Sequence, residues 1–128
     1  MAKRSTLIAN LDRWFSKYMR LKYAVNGKVS CYTCGVVKDW KSMQNGHFQT
    51  RAKYSVRWHE SNTRPQCPRC NISNGGRQYE FGLRLNEEKP GLADEMVRLG
   101  NQTRKFTNQE ILELTAKYRD LTKRLLDA

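Results

Sequence analysis

Residues Arg64 to Ser73 read RPQCPRCNIS, and the fold turns on what the two cysteines of that stretch hold. Cys67 and Cys70 repeat the spacing of Cys31 and Cys34 in the earlier stretch CYTCG. Two Cys-x-x-Cys pairs, in a chain whose start does not read as an export signal, have the spacing of a tetrahedral four-thiolate zinc site. Gly35 gives the first pair room to turn, and Pro68 sits inside the second. A redox Cys-x-x-Cys centre is the alternative, and two pairs in knuckle-like surroundings argue against it. The reading is one structural Zn²⁺ per chain. Asn71 comes directly after the last cysteine, so the zinc is well placed to hold that side chain.

The rest of the composition narrows the class. A chain of 128 residues has the length of one domain. Its hydrophobic fraction is only 38%, so the core should be small and should gain from a metal or a second subunit. No apolar run approaches a membrane span, and MAKRSTLIANLDRW is too interrupted by Asn10, Asp12 and Arg13 for a signal peptide. A soluble, cytoplasmic protein is expected, with no membrane partner. Lys and Arg number 24 against 12 Asp and Glu, a formal net charge of +12. That excess points to a polyanion, and nucleic acid is the commonest one.

Residues 5–25 read as an amphipathic helix with Leu7, Leu11, Trp14, Phe15, Tyr18 and Met19 on one stripe. Ser5 or Thr6 can cap its start, and Asn26-Gly27 can end it. KVSCYTCGVV reads as a short hairpin carrying the first thiolates, and GHFQT as a second extended piece. Residues 51–60 have no clean period and read as a loop. The stretch from Cys70 should start helical, with Gly75-Gly76 interrupting it, and EKPG is a linker. The tail reads as two helices, the second behind a Thr107/Glu110 capping-box pattern. Ile111, Leu114, Tyr118, Leu121 and Leu125 repeat there at heptad spacing. Packing on the chain's own helices is the default for that stripe, and a homodimer contact with Leu7, Leu11 and Phe15 is the sharper option.

Between the cysteine pairs lie both histidines, His47 and His59, together with Asn62. A single histidine is more often structural than catalytic, but His47 in an extended piece, Asn62 beyond a basic loop and Asn71 beside a zinc thiolate form a constellation. It resembles the ββα-metal (HNH) nucleases, and CPRCN also resembles the phage junction resolvase endonuclease VII. A closer resemblance is to the lambda-phage NinG (Rap) recombination endonucleases. CYTCG, GHFQTR, RWHESNTRPQC and CNIS carry it, with the tail from LADEMVRLG through FTNQEILELTAKYRDL.

That resemblance implies a metal-dependent endonuclease that cuts branched recombination intermediates such as Holliday junctions and D-loops, in the cytoplasm of a bacterial host. His47 would be the general base, Asn62 would orient it, and Asn71 would bind a catalytic Mg²⁺ or Mn²⁺. One departure stands out. The position before the base, often Asp in such nucleases, is Gly46, which has no side chain to offer an ion. Glu60 is the first candidate for the missing ligand and Asp39 a weaker one. Arg51, Lys53, Arg57 and Arg64 suit phosphate contacts, and Trp58 and Tyr54 suit either base stacking or the core. His59 reads as structural.

The expectation is therefore an α+β domain. A zinc-clamped ββα-metal core over residues 27–86 should lie between an N-terminal helix over 1–26 and a helical part over 91–128. Two rivals remain at this point: a zinc-knuckle DNA-binding protein without catalysis, and an HNH nuclease that reads a sequence in restriction or homing.

Overall fold

Leu7, Leu11, Phe15 and Met19 recur every fourth residue, which sets them on one face of a helix. In the computed structural model, which describes residues 2–128, they are the buried residues of helix α1 (Arg4–Lys22). The helix starts one residue before the expected caps: Lys3 is the N-cap, and no side chain caps it. A tertiary contact ties this end down instead. The Arg4 guanidinium donates to Asn108 Oδ1 and to the Phe106 carbonyl, both at 2.6 Å. Asn26 and Gly27, both at positive φ, then carry the chain out of the helix, as the Asn-Gly pair suggested.

The partner of α1 is the last helix, α5 (Asn108–Asp127), opened by the expected capping box between Thr107 and Glu110. Ile111 and Tyr118 are buried against α1, and Leu114 and Leu121 pack beside them. Phe15 and Tyr118 meet edge to face with ring centroids 4.8 Å apart. The heptad stripe is thus spent on the chain's own first helix. Of its members only Leu125 remains exposed.

Between these helices lie two small antiparallel hairpins. Strands β1 (Lys28–Ser30) and β2 (Val37–Asp39) pair with Val29 opposite Lys38, and their connection carries Cys31 and Cys34. Strands β3 (Gln44–His47) and β4 (Thr63–Gln66) pair with His47 opposite Thr63 and Gln44 opposite Gln66. The segment joining β3 to β4, expected as a loop, contains one helical turn, α2 (Tyr54–Arg57), and a tighter turn over Glu60–Asn62. After β4 the second cysteine pair leads into a wide π-type turn, Arg69–Ser73. The chain breaks at the glycines and resumes as α3 (Gln78–Glu88), then α4 (Leu92–Gly100).

Three apolar clusters result. One joins α1, α5 and Trp58; a second joins Val56 to α3 and α4 through Phe81, Leu85 and Met96; the third is Val29 and Met43 around the cysteines. The structure is α+β, with the terminal helices packed together. Among the described residues no helix is long and apolar enough to cross a membrane.

Candidate active site and its cysteine cluster

The four cysteine sulfurs lie within 4.8 Å of one another, and no disulfide joins them. Cys31 comes from the end of β1, Cys34 from the turn beyond it, and Cys67 and Cys70 from the chain leaving β4. Zinc–sulfur bonds of about 2.3 Å in a tetrahedron set the sulfurs about 3.8 Å apart, and Cys34 Sγ lies 3.7 Å from Cys67 Sγ. The donor set fits a structural Zn²⁺. Burial opposes ionisation of Cys31, but backbone contacts with Cys67 and Cys34 and the Thr33 hydroxyl outweigh it and bring its thiol down to about 6. Cys34 goes the other way. Its Val36 backbone contact favours the thiolate, but burial and the neighbouring sulfurs push it up to about 12. Four sulfurs this close need a cation before all can ionise.

The cluster also positions Asn71, the residue after its last cysteine. The Asn71 N–H donates to the Cys67 carbonyl at 2.9 Å, so Asn71 starts its turn at a set distance from the sulfurs. Its amide nitrogen donates to Gln44 Oε1 at 2.8 Å. In that orientation the Asn71 Oδ1 is left for another partner, and Asn71 lines a cleft.

The cleft has a volume of about 500 Å³ and is lined by Asp12, Ser16 and Arg20 of α1 together with Gln44, Asn45, His47, Arg51 and Asn71. An adjoining hollow of about 370 Å³ shares Asn45, His47, Arg51 and Asn71 with it. His47, at the end of β3, and Asn71, beyond β4, therefore meet at one opening. The His47 Nε2 lies 2.9 Å from the Arg57 carbonyl. A carbonyl only accepts, so Nε2 carries the proton and Nδ1 keeps the lone pair. Burial lowers the pKa of this imidazole to about 4 against the raising influence of that carbonyl. At neutral pH it is an unprotonated base.

Asn62 is fully buried, and its side chain does not touch the imidazole. Its Oδ1 accepts from Gln49 N–H at 2.8 Å, and its Nδ2 donates to the carbonyls of Gln49 at 3.0 Å and Val56 at 3.1 Å. Its own carbonyl accepts from Phe48 N–H at 2.8 Å. Asn62 thus clasps both ends of the segment from β3 to α2, and the Arg57 carbonyl that holds His47 comes next. Asn62 makes no hydrogen bond to His47 and is linked to it only through the segment that ends at Arg57.

The other expected residues divide. Glu60 is not brought to the cleft: its carboxylate pairs with Lys22 at 3.0 Å and accepts from Tyr118 Oη at 3.1 Å, at the seam between α1 and α5. Asp39 caps the turn after β2 by accepting from Lys41 N–H. Arg64 is buried, lies over the rings of Tyr23 and Tyr32, and pairs with Glu88 at 3.0 Å. Arg57 is buried in a two-point contact with Asp12. Lys53 reaches Gln49 and Asn101. Of the four basic residues expected on phosphate, only Arg51 lines the cleft with an exposed side chain. Trp58 belongs to the core and donates to Asp12 Oδ1 at 2.9 Å. His59 accepts from Ser61 N–H, a structural cap as expected.

Asp12 was not foreseen. It accepts from Arg57, Arg51 and Trp58 at once, which locks α1 onto the segment that holds His47. One signal was present: Asp12 is the only acidic residue before Asp39, alone on an otherwise basic helix.

The family model described as Bacteriophage Lambda NinG protein matches residues 1–127. The chain belongs to the NinG family. No curated protein and no solved structure matches it. The match runs through every element above, so both terminal helices are part of the NinG unit along with the cysteine-bound centre.

Proposed function

We propose that this NinG-family chain is a metal-dependent endodeoxyribonuclease of the HNH (ββα-metal) kind, acting on branched recombination intermediates. The observation that supports the reading is the meeting of a neutral, half-buried His47 and the Asn71 amide at one opening. A DNA phosphate seated there has Arg51 on its rim and a chain of net charge +12 behind it. His47 takes a proton from water at Nδ1. The water oxygen bonds to phosphorus as the bond from phosphorus to the 3′ oxygen breaks, and that oxygen takes a proton from solvent, giving a 5′-phosphate and a 3′-hydroxyl. The proton delivered to Nδ1 leaves an imidazolium whose Nε2–H still faces the Arg57 carbonyl. Asn71 would hold a Mg²⁺ or Mn²⁺, which when bound stabilises the charge on the phosphate and on the departing oxygen. Cys31, Cys34, Cys67 and Cys70 would hold Zn²⁺, which sets the start of the turn bearing Asn71.

A zinc-knuckle DNA-binding protein without catalysis also accounts for the charge and the cysteines. It gives His47 and Asn71 no joint purpose. Incubation with a four-way junction, linear duplex and single-stranded DNA, each with Mg²⁺ or EDTA, separates the readings. The expected result is cleavage of the junction in Mg²⁺ alone. His47→Ala should lower the rate by about two to four orders of magnitude while junction binding persists. Junction binding without cleavage by the zinc-loaded protein, in either Mg²⁺ or Mn²⁺, would leave the binding-protein reading standing. Efficient cutting of linear duplex at a fixed sequence would favour the restriction or homing alternative.

A further inference from the structure

We infer that Asn45 supplies a second protein oxygen to the divalent cation of this cleft, an inference that rests on the nuclease reading above. Position 46, where related nucleases often place a ligand, has no room for one. A Cβ on Gly46 would lie 1.8 Å from Gln66 Oε1 and 2.6 Å from Gln66 Cδ. Gln66 cannot move aside easily, because it is fully buried and its amide nitrogen donates to Thr33 Oγ1 and to the Gly76 carbonyl. Successive side chains of a strand leave on opposite faces, so Asn45 and His47, two apart on β3, leave on one face while position 46 faces Gln66 on the other. Both line the two adjoining hollows, and Asn71 lines them as well.

The second observation is a polar atom without a partner. Asn45 Oδ1 is buried and has no hydrogen bond, a state that native proteins seldom tolerate without a water or an ion. The Asn71 amide nitrogen donates to Gln44, which leaves the amide oxygen of a second residue lining the same opening free of that contact. Asp12 lines the cleft too, but Arg51, Arg57 and Trp58 already take its oxygens. Two neutral amide oxygens suit a hard cation that keeps waters and borrows phosphate oxygens from its substrate. They also make a modest site, one that binds the ion more tightly when DNA brings its own charge.

Zinc-loaded protein titrated with Mn²⁺, with free Mn²⁺ read from its paramagnetic resonance signal, tests this without any turnover. Asn45→Ala should weaken Mn²⁺ binding about tenfold or more, and Asn45→Asp, which replaces an amide oxygen by a carboxylate, should tighten it. Asn45→Ala should also melt at or above the wild-type temperature, since its buried Oδ1 has no hydrogen bond to lose. If both Asn45 variants bind Mn²⁺ like wild type while Asn71→Ala binds it weakly, Asn45 is no ligand and the nuclease reading stands. If Asn71→Ala is also without effect, the cation site falls, and hydrolysis through it falls too.

Discussion

His47 carries two demands that pull against each other. In the proposed mechanism a base must be neutral at working pH, and a half-buried imidazole must still satisfy its ring nitrogens. Burial meets the first by lowering the pKa to about 4, and the Arg57 carbonyl meets the second for Nε2. The same burial has a cost in stability as the medium acidifies. An unfolded histidine takes up its proton near pH 6.5, so between that pH and about 4 the unfolded chain binds the proton and the folded one does not. Stability therefore declines as the pH drops across that window. The histidine's share of the loss is about 3 kcal/mol, at about 1.4 kcal/mol per pKa unit. His47→Gln has no proton to gain. Urea melts of wild type and His47→Gln at pH 7 and pH 4.5 should show the wild type losing more stability, by about 2 to 3 kcal/mol. Equal losses would mean that the imidazole titrates normally and is not buried as described. The shared placement of His47 and Asn71 at one opening was foreshadowed in the sequence by an extended piece and a cysteine pair, local signals that fix where each side chain starts. Glu60 was not, because two residues before Asn62 is close in sequence, whereas the turn over Glu60–Asn62 sends its carboxylate to Lys22 and Tyr118.

At the level of elements, α1 does more than cover a core. Asp12 gives one carboxylate to two arginines and an indole on the segment between β3 and β4. Arg57 has only 11% of its side chain exposed, against 22% for Asp12, so removing the acid leaves a mostly buried guanidinium without its partner. Asp12→Ala should cost about 3 kcal/mol in a urea melt. Asp12→Asn should recover little of it, since the amide accepts at one atom and carries no charge. It should also loosen the Arg57 carbonyl, so cleavage should fall while Mn²⁺ binding stays near wild type. A loss under about 1 kcal/mol would mean that solvent screens this pair as it does surface ones. The helices were readable because their apolar periods and the Thr107 box are local signals. β4 was not, because TRPQ has neither alternation nor a run of β-branched residues, and Pro65 argues against a strand. All four of its residues are buried all the same, a consequence of packing that propensity does not carry. The start of α1 shifted for a similar reason: the contact from Arg4 to the head of α5 outweighs a local cap at Ser5 or Thr6.

The whole molecule is held by three small clusters, and the one around the cysteines has few apolar members besides Val29 and Met43. Structural zinc supplies folding energy outright in domains of this kind. Cys70→Ser, or removal of zinc by a strong chelator, should abolish the cooperative thermal transition, and a well-folded protein free of zinc would overturn the four-thiolate site.

The same economy of apolar surface bears on the oligomeric state. The stripe on α5 that could have met a second copy is packed on Leu7, Leu11 and Phe15 of the same chain. The large apolar residues left exposed are spread over several elements, among them Val25 before β1, Val36 and Val37 at β2, Ile72 beside the cleft, Tyr79 and Leu83 on α3, Val97 on α4, and Leu112, Leu125 and Leu126 on α5. Scattered residues do not make the contiguous patch that a stable dimer buries, and a charge of +12 on each copy adds repulsion. Resolving a four-way junction nevertheless needs nicks on opposed strands, which two copies related by a two-fold axis deliver. On the proposed reading a junction would supply what the free protein lacks, since its phosphates neutralise the charge and its symmetry would set two cleavage points. Light scattering at micromolar concentration should therefore give a monomer mass for the protein alone and two chains per four-way junction once DNA is added. A dimer mass without DNA would show that an apolar face other than the α1–α5 seam is at work. One chain per junction at saturation would mean that the two nicks come from separate encounters.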